Sequence, residues 1–362
     1  MESREKIYAN ALNLLPELGP VRLSRLRGHF GSFEAAWNGS VPRFLDSGLD
    51  RKIAELVARH RDSADPAAEF AKLEARGIGL ILDSEPHYPA LLAEIAAPPP
   101  FLYIRGQAQA LNRLNIAVVG TRKMTLYGKQ AAWEIVSGLA SAGIGLVSGL
   151  AFGVDAEALK AGVEAGAICS AVLASPLDDG SISPRSNFQI AQQIMKTGCL
   201  VSEYPLGASV QRQNFPIRNR IIAGLSAGTL VVEADQESGS LITAKYALEQ
   251  NRLVFAVPGS IFSEVSRGTN ALIRQGACPV SQASDILREL NLDIEAPIGD
   301  YDSAIDPAEQ PVLALIGHDP VTLDELIRES GQAAAEITAI VSMLEMRGRI
   351  KSLGGSKYVR VG

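Results

Sequence analysis

The sequence predicts an α/β protein: a doubly wound, mainly parallel sheet, preceded by a small helical domain and followed by three helices and a hairpin. Three observations carry this. From Asn115 to Pro258, short Val/Ile/Leu-rich runs ending in Gly or Pro alternate with stretches long enough for helices of roughly 10–16 residues. Up to about Ala75 the apolar residues recur at helical spacing. After Pro311 three helical patterns precede a hairpin-like run with Gly354-Gly355 at its turn.

Ile7, Ala11, Leu14 and Leu15 form the first stripe, which stops at Pro16. Leu18-Gly19-Pro20 makes a turn, and Val21, Leu23, Leu26 and Phe30 continue on a second helix. This stretch fits a helix-hairpin-helix or sterile-alpha-motif-like bundle over 1–75. Some such bundles hold a DNA backbone, and many bind nothing. Over 76–290 the predicted strands are GLILDS, FLYIRG, IAVVG, IGLVSG, AICSAVLA, CLVSEY, TLVVEA and LVFAVPG, with a helix opening at Pro89. A ligand is then expected beyond the carboxyl ends of the strands. Residues 291–309 are polar, acidic and proline-bearing, and read as a linker. Residues 310–362 spell a winged helix. Its recognition helix, AAAEITAIVSMLEMRG, lacks the basic and amide groups that read base edges. Arg347, Arg349, Lys351, Lys357 and Arg360 gather instead on the helix end and wing, so a protein-contact or weak backbone-contact module is expected.

Composition narrows the function classes. Hydrophobic residues at 47% and charged residues at 20% are ordinary for a globular chain. No apolar run spans a bilayer, and the N-terminus lacks a signal-peptide pattern, so a cytoplasmic protein without a membrane partner is expected. Cys169, Cys199 and Cys278 form no CxxC and fit idle thiols in a reducing compartment. The net charge of −6 gives no basic footprint, so any nucleic-acid site must be a local patch on an acidic body.

Catalytic signals are sparse. His29, His60, His87 and His318 all lie outside the sheet domain, no cluster has metal-ligand spacing, and no G-x-S-x-G elbow occurs. VVGTRKMTLYGK is neither the dinucleotide fingerprint nor a phosphate loop of standard form. No metal or cofactor is therefore expected. What remains is a series of strand ends friendly to anions. Gly120, Thr121 and Arg122 form a turn above a helix start that suits phosphate, or a glycine turn alone. Ser148, Gly149 and Gly153 permit close backbone approach, and Asp155 can cap the next helix. In QNFPIRNRIIAGLS, Arg212, Arg218 and Arg220 flank Phe215, the combination of cations and aromatic platform that suits single strands. The alternative is a Phe215 plugged into the core, with the arginines paired locally. Ser238, Gly239 and Ser240 open a helix that carries Thr243 and Lys245, offering free amides and hydroxyls. Gly259 and Ser260, followed by Asn270 and Arg274, form one more loop-to-helix entry.

Taken in order, VVGTR…YG, SGLAxGVD, NFPxRNRIIAGLS, SGSLITA, AVPGS and GTNxLIRQGA resemble the signatures of the DNA-processing protein A (DprA/Smf) family, from Tyr88 through Ile286. The resemblance implies an extended Rossmann-like domain that binds single-stranded DNA without catalysis. It also implies a homodimer that protects incoming DNA in natural transformation and loads the RecA recombinase. The family's strand-end arginine falls at Arg122, and its NFP/RNR loop at Asn214, Phe215, Arg218, Asn219 and Arg220. Three positions depart from the pattern. Phe152 stands where a basic residue is usual, Leu159 where a histidine is usual, and Ser175–Gly180 replaces the usual loop. The alternative reading is a nucleotide-processing enzyme of the phosphoribohydrolase kind. Its PGGxGTxxE segment would correspond to SGSLITAKY, which lacks the acid.

Overall fold

The computed structural model describes residues 2–292, 309–317, 319–346 and 349–360. The chain divides into two compact units, Met1–Leu290 and Asn291–Gly362. The expected linker lies for most of its length outside the described residues.

Six helices open the first unit: α1 (Glu2–Asn13), α2 (Gly19–Phe30), α3 (Phe33–Trp37), α4 (Val41–Asp46), α5 (Arg51–Ser63) and α6 (Pro66–Glu74). Side chains fix several of their starts. Ser32 accepts from the Ala35 amide, Asp50 from that of Ile53, and Asp65 from those of Ala67 and Ala68. Leu12, Leu23, Leu26, Phe33, Phe44 and Val57 fill the bundle's core. Val21 is not among them, being 58% exposed. Leu23, Leu26 and Phe30 share a face at i, i+3 and i+7, whereas Val21 points to the opposite side. The bundle is tied to the sheet by Asn13, whose Nδ2 donates to Tyr103 Oη (3.2 Å) and to the Glu203 carbonyl (3.0 Å). Tyr103 Oη in turn donates to Asn10 Oδ1 (2.9 Å).

The sheet then follows as β1 (Ile78–Leu82), α7 (Ala90–Ala93), β2 (Phe101–Gly106), β3 (Asn115–Val119), α8 (Leu126–Ser141), β4 (Gly145–Ser148), α9 (Val154–Glu164), β5 (Cys169–Val172), α10 (Phe188–Thr197), β6 (Cys199–Ser202), α11 (Asn214–Gly224), β7 (Gly228–Val231), α12 (Ser240–Glu249), β8 (Leu253–Ala256), α13 (Arg267–Arg274), β9 (Cys278–Pro279) and α14 (Ala283–Glu289). Strand order is β1-β2-β6-β5-β4-β3-β7-β8-β9. The seven strands from β6 to β9 are parallel, while β1 and β2 run antiparallel at one edge.

The central strands are buried on both faces. Ala117 and Val119 pack with Ile221, Ile222 and Ala223 of α11 and with Ala244 and Ala247 of α12. Alternation turns Ile116 and Val118 to the other face, the side of α9. The sheet is therefore doubly wound. From β3 the chain winds outward through β4, β5 and β6, and it returns to β7 on β3's other side. The switch point lies between β3 and β7, where the two connections diverge and leave a crevice.

The second unit comprises α15 (Gln310–Leu315), β10 (Val321–Thr322), α16 (Leu323–Ser330), α17 (Ala334–Met346), β11 (Ile350–Gly354) and β12 (Lys357–Arg360). Its sheet order is β10-β12-β11, around a core of Val312, Leu313, Leu326, Ile337, Val341, Leu344 and Ile350. This is a winged helix, with one strand more than the sequence suggested. No helix among the described residues is long and apolar enough to cross a membrane, and no group of three His, Cys, Asp or Glu residues there could hold a metal ion.

Candidate nucleic-acid interface at the sheet switch point

A cavity of about 660 Å³ opens beyond the carboxyl ends of β3 and β7. The β3–α8 turn contributes Gly120, Thr121, Arg122 and Lys123, and the loop after β4 contributes Ala151. The start of α11 contributes Phe215, Pro216, Arg218 and Asn219, preceded by Arg212. The loop after β7 and the start of α12 close the last side with Asp235, Ser238, Gly239, Ser240 and Thr243. Four cations thus face two carboxylates, Asp155 and Asp235, in a chain that is acidic overall.

These residues share a cavity because NFPIRNRIIAG is helical. Phe215, Arg218, Asn219 and Ile222 fall at i, i+3, i+4 and i+7, one stripe of α11. At its mouth the Arg122 guanidinium lies 5.6 Å from the centre of the Phe215 ring, a cation–π contact. Phe215 is half-buried rather than plugged into the core, and Arg122, Lys123 and Arg212 are exposed. The ring offers a base a flat surface, and the guanidinium beside it offers a phosphate a charge.

Arg218 is placed differently. It is 4% exposed, and its Nη1 donates to the Gly149 carbonyl (2.9 Å) and to that of Val172, while Nε donates to Asn219 Oδ1 (3.2 Å). One side chain therefore ties the ends of β4 and β5 to α11. Burial pushes its pKa down to about 10, against the opposing pull of Asp155, so it remains a cation at neutral pH. Asp155 is buried, and desolvation raises its pKa while Arg218 and backbone amides hold it back. It does not cap α9. Its carboxylate reaches back to accept from the Gly149 amide (3.1 Å).

Several expected contacts turn out to be spent within the protein. A Cβ on Gly149 would lie 2.6 Å from the Arg218 guanidinium, so the glycine makes room for that side chain. Gly153 adopts φ +75° against the Thr121 carbonyl, so the two strand-end loops brace each other. Ser148 is buried and donates to the Val118 carbonyl (2.6 Å). Thr121 is buried, and its Oγ1 accepts from the Lys123 amide (3.1 Å). Asn214 lies behind the cavity, donating weakly to the Ala174 and Ser209 carbonyls. The amides expected to be free at α12 are largely engaged: Ser240 N donates to Ser238 Oγ, Leu241 N to Ser238 O and Ile242 N to Gly239 O. Asn219 Nδ2 links this loop to α11 through the Gly239 carbonyl (3.3 Å).

Three expected cations are not brought to the cavity. Arg220 is two positions past Arg218 and so points the other way from α11. There it donates to Glu203 Oε1 (2.5 Å) and to the Ala97 carbonyl (2.9 Å) in a buried pair. Lys245 lies two positions beyond Thr243 and pairs outward with Glu249. Arg274 is exposed in the last turn of α13, outside the cavity. Gly259 and Ser260 line a separate, smaller cavity, where Asn270 exchanges hydrogen bonds with both the amide and the carbonyl of Gly259. Conversely, Lys123 and Asp235 line the main cavity although neither was singled out for it. The lysine's position after Thr121-Arg122 was the available signal. Phe152 is 53% exposed, while Leu159 belongs wholly to the core.

Asp155 is committed to Gly149, Asp235 accepts from the Glu237 amide, and Glu233, just behind, accepts from the Thr125 amide and hydroxyl. The arrangement suits holding an anionic chain with unpaired bases.

Comparisons with known proteins agree on one family. A family model described as DNA recombination-mediator protein A matches residues 79–291, and one described as the DprA winged helix domain matches residues 301–356. Protein Smf of Synechocystis is 32% identical over 399 residues, covering 99% of this chain and 100% of that protein. The X-ray structure of DNA processing protein A from Streptococcus pneumoniae superposes with a TM-score of 0.63 at 30% identity, over 78% of this chain and 93% of that one. A Helicobacter pylori structure, described as giving insight into the single-stranded DNA binding mode of DNA processing protein A, gives 0.54 at 28% identity, over 60% and 96%. With residues 79–291 and 301–356 both matched and a relative 32% identical along the whole chain, this chain belongs to the DNA recombination-mediator protein A family, the DprA/Smf proteins.

Proposed function

We propose that the chain binds single-stranded DNA as a non-enzymatic recombination mediator in the cytoplasm. On this reading a homodimer protects DNA entering by natural transformation and delivers it to the RecA recombinase, as the family resemblance implies. The carrying observation is the Arg122–Phe215 cation–π pair, which lines the switch-point cavity together with the exposed Lys123 and Arg212. Neutral stacking surface and exposed charge at one strand end are what a flexible polynucleotide needs. The binding mode named for the Helicobacter relative supports the same ligand class.

The site contacts proposed here are Gly120, Arg122, Lys123, Arg212, Phe215, Asn219, Ser238, Gly239, Ser240 and Thr243, with Arg218 setting their frame. The test is a titration of the full chain with single- and double-stranded oligonucleotides over a range of salt. Logarithmic affinity should fall with log salt by about 0.7 per neutralised phosphate for single strands. Arg122→Ala should weaken binding and flatten that slope without altering the unfolding curve. Salt-insensitive binding, or an unchanged Arg122→Ala variant, refutes the assignment.

A further inference from the structure

We infer that the loop after β8 carries a second, base-only subsite for the same strand, in which the exposed Phe262 and Tyr127 flank a small, mostly apolar cavity. The inference rests on the single-strand reading above and extends it. Ile261 and Phe262 are 77% and 88% exposed, an unusual pair of large apolar side chains to leave in water. The loop is not loose. Phe262 N donates to Ser260 Oγ (3.3 Å), Ser263 N to Ser260 O (3.0 Å), and Asn270 clamps Gly259 on both sides. A Cβ on Gly259 would lie 2.1 Å from Ser266 Oγ, so the turn must close this tightly. The turn is thus tied down by its own backbone while Phe262 stays exposed.

Beside it lies a cavity of about 420 Å³ lined by Tyr127, Ser260, Ser263 and Ser266, among others. Tyr127 Oη donates to the Pro258 carbonyl (2.6 Å), which occupies its hydroxyl and leaves the ring for contact. Among the described residues no Lys or Arg lines this cavity, and the one carboxylate that does, Glu233, is engaged by Thr125. Such a mostly apolar lining without a cation suits the flat face of a nucleobase better than it suits a phosphate. One turn of the chain serves both cavities. Thr121, Arg122 and Lys123 line one cavity, while Thr125 and Tyr127, a few residues along the same turn, line the other. A strand whose phosphate sits at Arg122 and Lys123 can place a neighbouring base against Tyr127 and Phe262.

The experiment uses the full chain with Phe262→Ala and Phe262→Trp, titrated with thymidine oligomers of increasing length at fixed salt. Phe262→Ala should leave the shortest cleft-filling oligomer unaffected and weaken longer ones by roughly fivefold to 150-fold, the range of one lost base stack. A strand with abasic sites should not distinguish it from the wild type, and the emission of the added Trp should be quenched by the longer oligomers. An equal loss at every length, or none, overturns the subsite. So does a changed sedimentation with unchanged DNA affinity, which would make the loop a contact between copies. Should Arg122→Ala lose binding while Phe262→Ala keeps it, only this inference fails; a wild-type chain that binds no single strand removes both.

Discussion

Replacing Arg220 separates the structure's account of the NFPIRNR segment from the one its composition suggests. Arg220 and Glu203 form an ion pair with side chains only 10% and 11% exposed, and Arg220 also satisfies the Ala97 carbonyl. Arg220→Ala strands a carboxylate in a dry site, a change that typically costs about 3–5 kcal/mol. For a unit of this size that lowers the melting temperature by something on the order of 10 °C. Burial already raises the Glu203 pKa despite the neighbouring guanidinium, and removing Arg220 raises it further. A carboxyl whose folded pKa lies above its unfolded value contributes most below the unfolded pKa, and that contribution disappears as pH rises through the folded value. The deficit of Arg220→Ala should therefore shrink on acidification, as Glu203 takes up a proton. Denaturant unfolding between acid and neutral pH, run alongside oligonucleotide titration, reads both effects. The double replacement Arg220→Met with Glu203→Leu should restore most of the stability. A fully stable Arg220→Ala that has lost DNA affinity would refute the reasoning and return Arg220 to the interface.

Other outcomes follow from the same geometry. Phe215→Ala should weaken single-strand binding by about 1–3 kcal/mol with a nearly unchanged salt slope, since a stacking surface is lost and no cation; filter binding at several salt concentrations checks this. Lys245→Ala and Arg274→Ala, both outside the cavities, should leave affinity within twofold or so, as expected of exposed charges in weak pairs or none. In the winged helix, Glu325 accepts from the Thr322 amide (2.8 Å) and hydroxyl (2.7 Å), and these bonds lower its pKa. Glu325→Gln should destabilise that unit at neutral pH. The gap from wild type should close as pH falls below about 4.3 and through the lowered folded value, because that contribution exists only while the carboxylate is charged; amide hydrogen exchange across α16 reads it.

The sheet was legible because parallel strands buried on both faces read as short apolar runs, and eight such runs became strands. The ninth, Cys278–Pro279, is two residues long and has no pattern to detect. Pairing directions were hidden as well: β2 joins β6 antiparallel across nearly a hundred residues, a contact no local period records. At the main cavity, sequence motifs located most of the loops that meet there because each follows a strand. They could not tell which side chains face the crevice. In α11 that is decided by 100° per residue, which sends Arg218 inward and Arg220 away, although the two look equivalent in the written string. Asp155 was likewise visible as a helix-start acid, but its reach back to Gly149 depends on Gly153 folding the loop over itself.

The enclosed Arg218 has an effect that ion counting will miss. Salt titration registers only those cations that displace condensed ions from the nucleic acid. Arg218, walled in by carbonyls and set against the buried Asp155, displaces none, because its charge is met inside the protein. Losing it would loosen the frame that holds the rim cations while leaving the salt slope where it was, so that slope counts the rim and not the scaffold.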